Sequence, residues 1–345
     1  MRKILLVLAL CAPTVLLAQQ DIHLSQFWNA PLQYNPATAG IFYGNFRMSA
    51  THRIQWGSLS DPYVTTAASI DLPLLSDLTG NDLFGVGLNV CQDEAGNSAF
   101  KTLKGNLSLN YGKSFDATES HFISAGFAVG YGQRTIDYSN LNWGRQWNIT
   151  DFDQGLPTFE SSSAAASVDY LDMTGGLHYF YSDHQAWQMH AGLALGHLNR
   201  PEVGFYGGEK LLRKYIFTWQ AEYHSHKDRV AVSPKLFYMR QGDLVTAVFG
   251  AEFDFLLSEA GKILGKTKEV TFETGVFYRW KDSFYPMMGV NLGGYTIAVT
   301  YDITLSSLTD QNKALGGPEI FLSYKGGYKR GLKERHSNDR FDRIH

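Results

Sequence analysis

Hydrophobic and polar residues alternate with a period of two along most of this 345-residue chain. In Leu83–Val90, Phe84, Val86, Leu88 and Val90 are apolar, while Gly85, Gly87 and Asn89 are small or polar. From Ile123 to Tyr131, Ile123, Ala125, Phe127, Val129 and Tyr131 alternate with Ser124, Gly126, Ala128 and Gly130. The most regular run is Tyr295–Leu305, where Ile297, Val299, Tyr301 and Ile303 oppose Thr296, Ala298, Thr300, Asp302 and Thr304. Period two puts alternate side chains on opposite faces of a strand. Fourteen such runs fall at approximately 45–56, 63–74, 83–92, 101–115, 121–136, 165–182, 185–198, 213–226, 229–241, 244–257, 269–281, 283–293, 294–305 and 318–328.

A soluble sandwich alternates too, so the direction of the pattern decides between the architectures. The apolar faces here are bulky along nearly their whole length and often end in Tyr or Trp, as at Trp56, Tyr111, Tyr131, Trp219, Trp280 and Tyr324. The opposite faces carry small and charged residues, among them Arg47, Arg53, Lys104, Glu252, Asp254, Glu273, Arg279 and Asp302. A membrane barrel shows apolar side chains to lipid and fills its lumen with polar ones. The expected fold is therefore all-β, a transmembrane outer-membrane β-barrel of about 14 antiparallel strands with a polar lumen, preceded by a non-strand segment. With the first strand running outward, the long connections 137–164, 199–212 and 306–317 lie outside, and the inner side takes the short ones at 182–184, 226–228 and 293–294. Two inner links, 75–82 and 258–268, are longer than usual for such barrels.

Composition adds export to this picture. Arg2 and Lys3 precede an apolar run from Ile4 to Ala18, and the chain turns polar at Gln19. That is the layout of a secretory signal, cleaved after Ala18. Leu10 stands where a lipid-attachment signal before Cys11 needs a small residue, which argues against lipidation. Loss of residues 1–18 leaves 28 Lys+Arg against 33 Asp+Glu, a net charge of −5 that does not suit a nucleic-acid binder. Cys91 is then alone, placed on the apolar face or at its rim, so no internal disulfide forms. The expected divisions are 1–18 signal peptide, 19–44 N-terminal periplasmic or plug segment, 45–328 barrel and 329–345 basic tail. The tail holds six Lys+Arg and three Asp+Glu; it reads either as a solvated end or as a periplasmic docking tail.

Ahead of the first strand stand Ser25-Gln26-Phe27 and Asn35-Pro36-Ala37-Thr38-Ala39-Gly40, and near that strand's end Arg53-Ile54-Gln55-Trp56. Pro36 pushes Asn35 away from helical backbone, Asn35 can bond neighbouring backbone groups, and Gly40 permits a tight reversal. The stretch is thus a turn that sends residues 19–44 beneath or into the barrel, either plugging the lumen, forming a docking surface or merely capping the end. Arg53 faces inward by parity and has Asp71, Glu252 or Glu273 as lumen partners, or else a ligand.

The three motifs, spread over residues 25–56, resemble the PorP/SprF family of outer-membrane proteins, associated in Bacteroidetes with the type IX secretion system and gliding motility. Thr38 stands where an aromatic is common in that family, and the chain shows no appended periplasmic domain. The resemblance implies a non-enzymatic component that assists secretion or surface attachment of particular adhesins. Its partners would be the C-terminal sorting domain of a cargo and other secretion components in the periplasm and outer membrane. It makes Ser25, Gln26, Asn35, Pro36, Ala37, Gly40, Arg53, Gln55 and Trp56 the candidate partner-binding residues.

Chemistry of other kinds finds little support. No motif joins a Ser or Cys nucleophile to the histidines at 178, 184, 190, 197, 224 and 226. His224-Ser225-His226 reads as a solvated turn, and Asp151-Phe152-Asp153-Gln154-Gly155 falls short of a calcium loop. No catalytic residue, metal or cofactor is expected, and nucleic acid is not a partner. The alternative function is an outer-membrane channel or transporter for small or hydrophobic solutes.

Overall fold

A computed structural model describes residues 21–327 apart from 58–60, 77–80, 97–99, 117, 138–140, 142, 154, 158–164, 226–228, 259–268, 307–308 and 310–313. The expectations for the leader, for cleavage after Ala18 and for the tail at 329–345 lie outside the described residues. The strands are β1 (Phe46–Gln55), β2 (Tyr63–Ser76), β3 (Asp82–Ala95), β4 (Phe100–Ser114), β5 (His121–Asp137), β6 (Ala165–Ser182), β7 (Trp187–Gly196), β8 (Lys214–His224), β9 (Val230–Gln241), β10 (Leu244–Ser258), β11 (Val270–Arg279), β12 (Ser283–Leu292), β13 (Tyr295–Thr304) and β14 (Leu315–Gly326). Each pairs antiparallel with its chain neighbours, and β1 pairs with β14 from Phe46↔Gly326 to Arg53↔Glu319, closing a barrel of fourteen strands. Closure leaves no sheet edge, which lipid demands because nothing in it can satisfy a free N–H or C=O.

β13 shows how the residues divide. Thr296, Ala298, Thr300, Asp302 and Thr304 are buried inside, whereas Ile297 and Val299 are exposed on the outer wall. The same inversion runs round the barrel: Leu88, Leu107, Phe127, Leu193, Phe249 and Ile320 are exposed, while Asn89, Ser108, Asp172, Glu252 and Glu319 are buried. An outward apolar belt of this extent belongs against acyl chains rather than water.

The start of β1 and the end of β14 share one end of the barrel, termed the inner end. Carboxylates hold some of its turns. Asp183 accepts N–H bonds from Gln185, Ala186 and Trp187 at 2.8–2.9 Å. Slight burial raises its pKa, but these donors outweigh that and hold the carboxyl below the usual range. Strand ends differ from expectation where backbone geometry intervenes. β7 stops at Gly196 because His197 adopts φ 55°. β14 begins at Leu315 because a register shift opposite Asp302/Ile303 accommodates Gly316 and Gly317. Another shift between Pro73 and Leu75 leaves consecutive leucines, Leu74 and Leu75, both exposed.

Leu107 sits midway along β4 on the outer wall. Leu107→Arg is expected to lower stability in lipid bilayers by about 2–4 kcal/mol, the cost of an arginine facing lipid near the midplane. Urea unfolding in vesicles measures it; an unchanged midpoint would place Leu107 in water.

Candidate functional site

Residues 21–45 thread the lumen from its outer half down to the inner end, where β1 begins. The segment is short of regular structure, with two 3-10 turns at Pro31–Gln33 and Pro36–Thr38, so its own backbone leaves many polar groups for the wall to satisfy. The wall does so at three levels.

At the outer level, Glu319 accepts the N–H groups of Ser25 at 2.6 Å and Gln26 at 2.8 Å. The Ser25 hydroxyl donates to Asp302 (2.9 Å) and accepts from Arg279 (2.7 Å), and the Ser25 carbonyl accepts the Tyr285 hydroxyl (2.9 Å). Arg53 donates to Asp302 at 2.6 Å and to the His23 carbonyl, while Arg279 donates to Asp302 at 2.9 Å. All four charged side chains are buried, and the two guanidiniums balance the two carboxylates. Nearby, Asp21 pairs with Lys214 and with His197 (3.0 Å); His197 pairs in turn with Asp172 (2.9 Å), which Lys104 also reaches.

Aromatic contact fills the middle level. Trp28 stacks on Phe277 at 4.3 Å, Phe27 lies 5.0 Å from Phe237, and Tyr34 meets Phe237 edge-on at 4.9 Å. Ile216, Met239, Val248, Met287 and Phe321 join this cluster from the wall. The lumen is therefore not uniformly polar as the alternation suggested. Inward apolar residues such as Phe237 and Phe277 pack against the segment.

At the inner level the Asn35–Gly40 motif is read atom by atom. Asn35 accepts the Ala37 N–H (2.9 Å) and donates to the Leu177 carbonyl (2.9 Å). The Ala37 and Ala39 carbonyls accept from Ser124 (2.8 Å) and Asn110 (2.9 Å). Gly40, at φ +75°, donates its N–H to Asp71 (2.9 Å), whose carboxylate Arg47 grips through Nε and Nη2. Small residues on both sides permit this approach: a Cβ at Gly85 would stand 2.1 Å from the Ala39 carbonyl oxygen, and one at Gly126 2.4 Å from the Ala37 nitrogen.

Of the candidate residues, Ser25, Gln26, Asn35, Pro36, Ala37, Gly40 and Arg53 are buried in this assembly, and Gln55 and Trp56 lie at the outer end of β1. Arg53 does form a lumen ion pair, but with Asp302 and Glu319 rather than Asp71, Glu252 or Glu273. Glu319 stands opposite Arg53 across the β1–β14 seam, while Asp71 stands opposite Arg47 on β2 and Glu252 is bound to Lys235 at 2.8 Å. Cys91 is also corrected: it is buried on the inner face beside Leu24, Ala30 and Ala67, in phase with Gly85, Gly87 and Asn89. Alternation alone missed the glycines that seat the segment and the aromatic cluster; runs of inward glycines on β3 and β5 were the available signal.

Beside the segment, on the inner half, lies a cavity of about 540 Å³. Trp28, Tyr34 and Phe321 line it with Glu222, Glu252, Asp254, Glu269 and Glu273, and with Arg47, Lys235 and Lys325. It reaches the inner rim at Gly293, Gly294 and Gly326. His178 and His190 line it with ring nitrogens 3.2 Å apart, and among the described residues no group of three or more His, Cys, Asp or Glu is placed to hold a metal. In the outer loop, Asp151 and Asp153 accept the N–H groups of Phe152 and Gly155, an ordinary surface turn; Gln154 lies outside the described residues.

Removing Arg53 leaves Glu319 and Asp302 buried with half their positive charge gone. Arg53→Gln is expected to cost about 3–5 kcal/mol in unfolding free energy, the usual penalty for breaking a buried pair from one side. A second expectation concerns seating: with Cys91→Ser as background, a Gln26→Cys thiol stays unreactive toward maleimide, and Gly126→Leu makes it react. Equal labelling with and without Gly126→Leu would contradict the packing.

Solved structures of similar fold include the Pseudomonas putida toluene transporter TodX, at 13% identity over 88% of this chain and 95% of that one with a TM-score of 0.49. The Ralstonia pickettii toluene transporter TbuX matches at 11% identity over 87% and 94%, TM-score 0.48, and the KdgM porin at 10% over 81% and 98%, TM-score 0.38. No curated protein matches. The family model described as "Type IX secretion system membrane protein PorP/SprF" matches residues 16–324, which include the lumen segment from Asp21, the seam of β1 with β14 and every strand between. The chain therefore belongs to the PorP/SprF family of type IX secretion system membrane proteins.

Proposed function

We propose that this outer-membrane barrel is a non-enzymatic part of the type IX secretion and gliding machinery that assists secretion or surface attachment of particular adhesin-like cargo. Family membership over residues 16–324 carries the reading. Its partners are the C-terminal sorting domain of the cargo and other secretion components on either side of the membrane. The chain reaches its place by a leader cleaved after Ala18, with the inner end in the periplasm.

The packing of the lumen supports docking over conduction of a folded cargo. A segment bonded to the wall at three levels occupies the path, so contact falls to the barrel's two ends. At the outer end Trp147, Ile149, Phe152 and Tyr206 are exposed on loops, with Gln55 and Trp56 close to the strand ends. The buried motif residues serve partners indirectly, by fixing the segment whose flank shapes the inner cavity. One observation favours the alternative of a solute channel: that cavity is of ligand size and part aromatic.

Deleting the gene and measuring surface adhesin, alongside solute flux through the purified protein in liposomes, separates the two readings. Loss of surface adhesin with no solute-selective flux is expected. Selective flux with unchanged adhesin would overturn the proposal.

A further inference from the structure

The lining of the inner cavity carries more carboxylates than cations. It holds five carboxylates, Glu222, Glu252, Asp254, Glu269 and Glu273, against the three cations Arg47, Lys235 and Lys325. Within and beside the lining, Lys235 pairs with Glu252 at 2.8 Å, Arg47 with Asp71 at 2.8 Å and Glu222 with His224 at 2.8 Å. The excess is concentrated on two strands, because Asp254 of β10 stands directly opposite Glu273 of β11, with Glu269 just before β11. Like charges facing each other across a ladder repel, and away from bulk water that repulsion is stronger. The wall is thus built to attract positive charge. Trp28, Tyr43 and Phe321 in the same lining add surface for aromatic and aliphatic side chains.

We propose that this chamber is the docking site for the chain's own C-terminal segment, residues 328–345. Three observations select that occupant. First, Lys325, Gly326 and Gly327 are themselves part of the cavity lining, so residue 328 departs from the chamber's rim. Second, from Lys329 onward the segment carries six Lys+Arg against three Asp+Glu, the opposite sign to the lining. Tyr328, Leu332, Phe341 and Ile344 interleave with those charges and suit the aromatic surface. Third, residues 328–345 reach roughly 60 Å when extended, enough to enter and fold back. Tethering at the rim also gives the segment an effective concentration on the order of millimolar, so modest affinity suffices for occupancy. A basic segment of another protein would then have to displace it, which makes the tail a competitor at the inner face. The inference holds whichever cargo the barrel serves.

The test uses the full chain in detergent and a fluorescein-labelled synthetic peptide of residues 328–345, read by anisotropy. In the wild-type chain the chamber is already filled. The variant Lys329→Gln/Arg330→Gln/Lys333→Gln/Arg335→Gln vacates it and is expected to bind the peptide at least tenfold tighter than wild type. Adding Asp254→Asn, Glu269→Gln and Glu273→Gln to that variant is expected to remove at least tenfold of the gain. Heat-modifiable gel mobility checks that each barrel is folded; should the triple change fail it, Glu269→Gln alone, at the rim, is used and should weaken binding and make it less salt-sensitive. Equal peptide binding by wild type and the tail variant, or no saturable binding by either, would overturn the proposal. So would binding that the wall substitutions leave unchanged.

Discussion

Two arginines and two carboxylates from four strands meet at the backbone of Ser25 and Gln26, and the rest of the lumen is arranged around that junction. Each of these charges is buried, and a lone buried charge is costly. The cluster is tolerable only because Arg53, Arg279, Asp302 and Glu319 neutralise one another and because Ser25 fills the bonding positions left between them. Remove the segment and the cluster loses its centre; remove an arginine and the segment loses its anchor. β1, β11, β13 and β14 include both sides of the closing seam, so the same contacts that seat the segment also fix where the barrel closes.

Much of the wall was legible from alternation, because lipid on one side and a filled lumen on the other impose a strict two-residue period. The exceptions have local causes: a left-handed residue at His197, glycines opposite Asp302, and the shift at Pro73. The interior was less legible. Parity turned Arg53 inward, but its partner depended on the seam register, which a linear pattern does not contain. Cys91 follows the parity of Gly85 and Gly87, yet a cysteine reads as either face when only hydrophobicity is considered. In the alternation Gly85 and Gly126 are simply small positions opposite the apolar face. Their positions match the small residues of Asn35–Gly40, a fit between segments that lie far apart in sequence.

This arrangement recasts the short N-terminal motifs. At Ala37 and Gly40 the segment's backbone lies against the backbone of the wall, leaving no room for larger side chains, while Asn35 is held through its own side chain. Thr38, by contrast, borders the inner cavity, and its hydroxyl donates to the Asn35 carbonyl at 2.7 Å. Family motif and chamber wall are two sides of one segment, and whatever docks at the inner end meets a surface the motif has shaped.

Hydrogen exchange in lipid bilayers tests the central claim, that residues 21–45 are a built-in part of the lumen. The amides of Ser25, Gln26 and Gly40 donate to buried carboxylates and should exchange as slowly as those of the neighbouring strands. Exchange within seconds at these amides, with the strands still protected, would contradict it.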